Sequence, residues 1–223
     1  MEKAPVQRAG FLPVYFPFHF EGIKAVVTSR GFGDQKVKEN RVRCCELIGI
    51  APEELVLCEQ VHGDKIHQVL AEEGGKLIPA ADGLITGEAI PMGILTADCL
   101  PIFLYADLAE GFLGLIHAGW RGTLKGIARR AVRILKKMGI DQKRIYVAFG
   151  PAICSRCHEF DLTGKNVKAL TDEGIPRENI NSENLCTYEN ENLFSYKRQG
   201  KRSGRMMSVI YKESPARIIS KGF

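Results

Sequence analysis

A mixed α+β architecture is what this chain predicts, and three observations carry it. Short β-branched and apolar runs recur along the 223 residues. One segment repeats its apolar residues at helical spacing, and the two kinds of element do not alternate regularly enough for a parallel βαβ sheet. No linker or shift of composition divides the chain, so residues 1–223 read as one domain of mixed β-sheets flanked by helices.

The elements follow in order. Residues 23–29 are β-branched and apolar and predict a strand, 30–33 a glycine loop and 37–48 a helix. After Pro52, residues 55–62 predict a strand that delivers His62 at its end, where Gly63-Asp64 signals a turn. Residues 65–71 resume an extended pattern. Short strands over 82–86, 93–96 and 101–105 leave Asp98 and Cys99 at a break between two buried runs. Residues 112–116 form a buried strand ending at His117. Beyond the turn from Gly119 to Gly122, apolar residues at 124, 127, 128, 131, 135 and 138 share one face. They predict a single long helix capped by Thr123 and stopped by Gly139. A strand over 145–149, a helix over 164–170 and a late strand over 208–211 complete the order.

Hydrophobic residues make up 45% of the chain and charged residues 26%, an ordinary globular balance. The net charge of +5 comes largely from Lys125, Arg129, Arg130, Arg133, Lys136 and Lys137 along the predicted helix. A solvated polar face accounts for them better than a nucleic-acid surface does. No apolar run approaches the roughly eighteen residues of a membrane span. The opening stretch with Glu2, Pro5 and Gln7 lacks the pattern of a signal peptide, so a cytoplasmic location is expected. Seven cysteines without an export signal are expected to be reduced thiols.

The chemistry concentrates at three places. His62 lies in Glu59-Gln60-Val61-His62-Gly63, Cys99 in Thr96-Ala97-Asp98-Cys99-Leu100-Pro101 and His117 in Ile116-His117-Ala118-Gly119-Trp120-Arg121-Gly122. All three fall at predicted strand ends beside turn residues, where function gathers. Two imidazoles and a thiolate fill three of the four tetrahedral positions of zinc and leave one open, which suggests catalysis. Asp98 is a candidate proton shuttle, or else a turn-capping residue. His67 falls on the opposite face of a continuous strand from His62 and is left out. The segment from His117 into the helix is a natural anion site, with Arg121 as a phosphate clamp.

Two further patterns are weaker. Cys154-Ser155-Arg156-Cys157-His158 has the spacing of a haem attachment site or a zinc half-site, but no second CxxC accompanies it, and structural cysteines are the simpler reading. The run Lys197-Arg198-Gln199-Gly200-Lys201-Arg202-Ser203-Gly204-Arg205, preceded by Phe194 and Tyr196, reads as a solvated hairpin loop and not as a single-strand nucleic-acid platform.

With these residues in place, the chain resembles the YfiH/YlmD family, also described as laccase-domain or polyphenol-oxidase-like. The likeness rests on the three segments above, on Gly150-Pro151-Ala152-Ile153, and on Cys186-Thr187-Tyr188 with Phe194-Ser195-Tyr196-Lys197-Arg198 and Gly204-Arg205. The resemblance implies a single α/β domain holding zinc through His62, Cys99 and His117. It also implies phosphorolysis of adenosine, inosine and methylthioadenosine to base and ribose 1-phosphate, with deamination of adenosine. Cys99, His117 and Asp98 would then act on the substrate, and Arg30, Gln60 and Arg121 would bind nucleoside and phosphate. A related member removes misincorporated residues from a peptidoglycan precursor. The fold also resembles cysteine hydrolases akin to a bacterial toxin deamidase, in which Cys99 and His117 would need no metal.

Two departures stand out. The connection between Ser29-Arg30 and Asn40-Arg41 is shorter than the family's glycine-rich loop, and His158 stands where the family has Tyr. Copper would accept the same three ligands, but a complete multicopper array needs about ten histidines, and the chain has five. A zinc-stabilised binding module is the non-enzymatic alternative, and it requires a fourth protein ligand such as Cys58.

Overall fold

Period-2 alternation along the buried strands sorts their side chains onto two faces, and this sorting sets the layers. The computed structural model describes residues 10–108 and 111–213. Glu2, Pro5 and Gln7 lie outside them. The strands are β1 (Phe11–Pro13), β2 (Ile23–Thr28), β3 (Val56–Cys58), β4 (Ile66–Gln68), β5 (Leu77–Ile78) and β6 (Gly83–Thr86). They continue with β7 (Met92–Thr96), β8 (Leu100–Ala106), β9 (Phe112–Ala118), β10 (Ile145–Phe149), β11 (Ile180–Asn181) and β12 (Met206–Lys212). The helices are α1 (Lys38–Ile48), α2 (Trp120–Leu124), α3 (Ile127–Lys137), α4 (Leu162–Asp172) and α5 (Tyr196–Gln199).

The described strands form two mixed six-stranded sheets, ordered β1-β2-β12-β7-β3-β5 and β11-β10-β8-β9-β6-β4. On β12, Met206 and Ile210 face the second sheet, where Phe103, Tyr105, Leu113 and Leu115 meet them. Met207, Val209 and Tyr211 turn the other way, onto Cys44 and Cys45 of α1. Ile102, Leu104 and Ile116 of the second sheet pack against α3 and α4 through Ile127, Ala131, Leu135, Leu162 and Leu170. The order is thus helix, sheet, sheet, helices, as the mixed α+β reading predicts. Strands covered on both faces carry near-continuous apolar runs. Each fully buried large side chain, Phe103 among them, contributes about 1.5–3 kcal/mol.

Three expectations are corrected. The single helix over 124–138 is two helices, because Gly126 adopts φ 80° in the left-handed region and turns the chain between Leu124 and Ile127. Leu124 and Met138, which the periodicity placed on the buried face, are exposed. Thr123 lies inside α2, where its hydroxyl accepts a hydrogen bond from Asn166 Nδ2 at 3.0 Å. The strand expected over 55–62 ends at Cys58, so His62 sits on a loop beyond it. The basic run is no hairpin: α5 and a 3-10 turn over Gly200–Arg202 occupy it. Its aromatic neighbours are engaged within the chain, Tyr196 beneath Arg205 and Phe194 beneath Arg30.

The basic face of α3 is matched by acids. Arg129 pairs with Asp172 at 3.1 Å, Arg130 with Asp64 at 2.9 Å and Arg133 with Glu173 at 2.7 Å. Such exposed pairs contribute about 0–1 kcal/mol each. Cys44 and Cys45 are core residues whose thiols burial pushes upward, Cys45 to about 11. No helix of the described residues is long and apolar enough to cross a membrane.

Candidate metal centre

Antiparallel pairing of β8 with β9 sets Leu100 opposite Ala118 and Pro101 opposite His117, so the start of one strand meets the end of the other. Cys99 immediately precedes β8, and His117 lies within β9, one residue before its end, not just past it. The loop after β3 brings His62 to the same edge. One ligand atom from each of His62, Cys99 and His117 lies within 4.8 Å of the others, and the two imidazoles stand edge to face with centroids 4.8 Å apart. Exposure rises from His117 through Cys99 to His62, so the group opens towards solvent on one side.

Gly119 gives the donors room. Its backbone is extended at φ −78°, and a methyl group there would stand 3.1 Å from both Cys99 Sγ and His62 Cδ2. The cradle a side chain would fill is thus kept clear above the three donors. Cys58 is not among the grouped donors: it is buried, and its thiol is pushed up to about 12 by burial.

A carboxylate that sequence reasoning did not single out organises the centre. Asp82, fully buried just before β6, accepts from His117 Nδ1 at 2.8 Å. It also accepts from the backbone amides of Val61 at 3.2 Å, His62 at 2.9 Å and Gly63 at 2.7 Å. The pairing of Gly83 with Ile116 delivers it there, and the amide of His117 donates to the Asp82 carbonyl at 2.7 Å. One side chain therefore fixes both the imidazole of His117 and the loop that carries His62. The available signal was an acid isolated in the apolar stretch Ala81 to Ile85.

Electrostatics follow from these contacts. Burial raises the Asp82 carboxyl, but His117 and the loop amides outweigh it and hold the group below the usual range. Burial also opposes ionisation of Cys99, yet the charge and hydrogen bond of His117, with those of His62, bring the thiol down to about 6. Burial disfavours charge on His117, but Cys99 and Asp82 raise it to about 9. The opposite shifts favour a thiolate beside an imidazolium, and a bound cation would compete with the proton for the same atoms.

The other residues assigned from sequence fall differently. Asp98 adopts φ 89°, and both its carboxylate oxygens are taken, by Thr187 Oγ1 at 2.6 Å and the Lys197 amide at 2.6 Å. It anchors the turn before Cys99 to the segments that carry Thr187 and Lys197. Gln60 exchanges two hydrogen bonds of 2.7 Å with the backbone of Leu95. Its amide mimics a neighbouring strand and is a positioning group for the His62 loop. Arg121 is exposed, with its guanidinium 4.7 Å over the Trp120 ring. Arg30 is also exposed, and its amide donates to Asn192 at 2.7 Å. His67 bonds Glu73 at 3.0 Å, apart from the centre.

Fold and donor set together define a mixed α/β protein with a histidine–thiolate centre, capable of holding a metal, where two sheets meet. The family model for multi-copper polyphenol oxidoreductase laccase matches residues 26–165 and 158–213, and the chain belongs to that family. It is 34% identical to purine nucleoside phosphorylase YlmD of Geobacillus stearothermophilus, over 80% of each chain. It is 27% identical to adenosine deaminase RL5 of an unknown prokaryotic organism, over 86% of this chain and 95% of that one. Among solved structures, YlmD of G. stearothermophilus superposes with a TM-score of 0.81 at 30% identity, covering 87% of this chain and 93% of the other. The Bacillus licheniformis hypothetical protein YfiH reaches 0.83 at 23% identity, with 90% and 97% covered, and shows the same fold.

Proposed function

We propose that the chain is a zinc-dependent purine nucleoside enzyme. In this reading it phosphorolyses adenosine, inosine and methylthioadenosine to free base and ribose 1-phosphate, and deaminates adenosine. The observation that carries the reading is the convergence of His62, Cys99 and His117 on one point beside the bare backbone of Gly119. The names of the relatives supply the substrate class. Two imidazoles and one low-pKa thiol fit zinc with one position open, and a copper array does not fit five histidines of which two reach the centre. When bound, the ion supplies Lewis-acid polarisation and activation of water near neutral pH.

The chain's own residues set the stage. Asp82 keeps the proton of His117 on Nδ1, so that Nε2 is the donor atom, and its grip on three amides holds His62 at a fixed approach. Cys99 is available as thiolate without a strong base. Trp120 and Arg121 follow Gly119 directly and are exposed, offering an indole face to a flat base and a guanidinium to phosphate.

A second reading rests on the Cys99–His117 pair itself. With the thiol near 6 and the imidazole near 9, the two form the ion pair of a cysteine hydrolase, with Cys99 as nucleophile. One experiment separates the readings. Metal-assayed protein is incubated with adenosine, with and without phosphate, beside Cys99→Ala and a chelated sample, and products are identified by mass spectrometry. Adenine with ribose 1-phosphate appearing only with phosphate, or inosine in either case, lost on chelation and in Cys99→Ala, supports the zinc enzyme. Hydrolysis that survives chelation selects the thiol mechanism. No turnover at full zinc loading rejects the nucleoside assignment.

A further inference from the structure

Away from this centre a second group of metal donors assembles from two loops. Cys154 and Cys157 lie just beyond β10, closed into a turn by a 3.0 Å hydrogen bond from the Cys157 amide to the Cys154 carbonyl. Cys186 and Glu189 occupy the loop after β11. The two loops are joined by a parallel bridge between Ala152 and Cys186. The Ala152 amide donates to Leu185 at 3.1 Å and the Thr187 amide to Ala152 at 3.1 Å. The three sulfurs and one Glu189 oxygen all lie within 4.8 Å of one another.

Two sulfur–oxygen edges of this group are close to those of a zinc coordination sphere. With zinc–sulfur near 2.3 Å and zinc–oxygen near 2.0–2.2 Å, a tetrahedron has S···S edges of about 3.8 Å and S···O edges of about 3.6 Å. Cys154 Sγ lies 3.9 Å and Cys157 Sγ 3.6 Å from Glu189 Oε1. Charge and outer contacts agree with that use. Arg156, between the two cysteines, donates to both oxygens of Glu189 at 3.0 and 3.1 Å. It would offset part of the excess negative charge of three thiolates and a carboxylate around a divalent ion. The Cys154 amide donates to Cys186 Sγ at 3.4 Å. Ligands supported by such contacts are the usual design of a metal site.

We propose that Cys154, Cys157, Cys186 and Glu189 bind a second zinc ion, at a closed structural site distinct from the His62/Cys99/His117 centre. Four protein donors leave no position for substrate, so this ion staples loops. What it staples reaches the first centre. Thr187, next to Cys186, holds the Asp98 carboxylate at 2.6 Å, and the Ile153 amide, next to Cys154, donates to the Asp98 carbonyl at 3.0 Å. Asp98 in turn positions Cys99. The second ion thus braces the turn that presents the thiolate.

The test is zinc content by plasma mass spectrometry, with cobalt(II) spectroscopy, on full-length wild type, Cys99→Ala, Cys157→Ser and the double variant. Cys99→Ala is expected to keep one zinc, and its cobalt form to show an intense thiolate-to-cobalt charge-transfer band that the double variant loses. Cys99→Ala protein that holds no zinc and gives no such band overturns the proposal. If the first centre binds no metal, wild type and Cys99→Ala carry equal zinc while Cys157→Ser carries none, so the two ideas fail separately. Because Cys157→Ser can impair folding, Arg156→Met provides an independent arm. With all four donors retained, it is expected to weaken zinc binding by about 10- to 100-fold in a chelator competition. Unchanged affinity there would reject the role assigned to Arg156 in the site.

Discussion

The two donor clusters of this molecule use the same atoms to different ends. The first is built on strand ends between two sheets, backed by a fully buried carboxylate and roofed by a glycine. The second is built on surface loops, where the side chains of Arg156 and Glu189 are 76% and 46% exposed. Backbone conformation differs in the same sense. His62 at φ 58° and Asp98 at φ 89° sit in the left-handed region at the first centre. Such residues cost about 1–3 kcal/mol each and persist where the surroundings over-determine them. The described donors of the second cluster carry no such strain. Strain and burial accompany the centre with an open side, and relaxed geometry accompanies the closed group. The difference is what separates a site shaped for a ligand from one shaped for cohesion.

The comparison can be broken or sharpened by experiment, beginning with the largest expected effect. In metal-free protein, labelling of Cys99 by iodoacetamide should show a midpoint near pH 6, because His117 stabilises the thiolate. At pH 7 the thiolate fraction is then roughly thirty-fold that of an ordinary thiol. The sign is that of a depressed pKa: labelling rises with pH through about 6 and is lost below it. A midpoint near the ordinary value would remove the ion pair. Asp82→Asn comes next and should lower zinc affinity of the first centre by about 10- to 100-fold, read by chelator competition, with the second cluster unaffected. Equal losses at both would mean that the fold, not the centre, had been damaged.

Gly119→Ala adds one methyl group 3.1 Å from Cys99 Sγ and His62 with no change of backbone region. Crowding of this kind costs about 1–3 kcal/mol, so zinc retention should fall by about tenfold while the melting temperature changes little. Retention equal to wild type would show that the roof is not tight. Thr187→Val cuts the side-chain tie between the two clusters at Asp98 and leaves the Ile153 amide in place. Removing a hydrogen bond to a charged group should lower stability by about 1.5–3 kcal/mol in urea unfolding, with both metal complements intact.

Much of this was legible before any contact was known. The buried strands over 101–105 and 112–116 were readable because both faces are covered, which leaves unbroken apolar runs. The grouping of His62, Cys99 and His117 was readable because each sits in a short segment with a turn residue at its side. The helix over 124–138 was misread at Gly126 because apolar periodicity continues across a residue whose left-handed φ redirects the axis. Asp98 was read as a candidate proton shuttle or a turn-capping residue because its neighbour is Cys99, and its partners Thr187 and Lys197, some ninety and a hundred residues further along the chain, were out of reach of that reading. Gln60 was placed at the substrate by the family resemblance, and its bonds to Leu95, thirty-five residues on, came only with the fold.

What the sequence by itself determined is therefore the local content: which runs are strands, which residues are donors, and which family they resemble. Periodicity and turn chemistry act over a few residues, so they survive in one dimension. What only the tertiary structure decided is the pairing of distant groups. Asp82 reaches His117 through strand register, and Cys186 and Glu189 reach the CxxC through a loop crossing. Carboxylates and thiols take their roles from the charges and amides around them, and those neighbours are set by folding, not by adjacency in the chain.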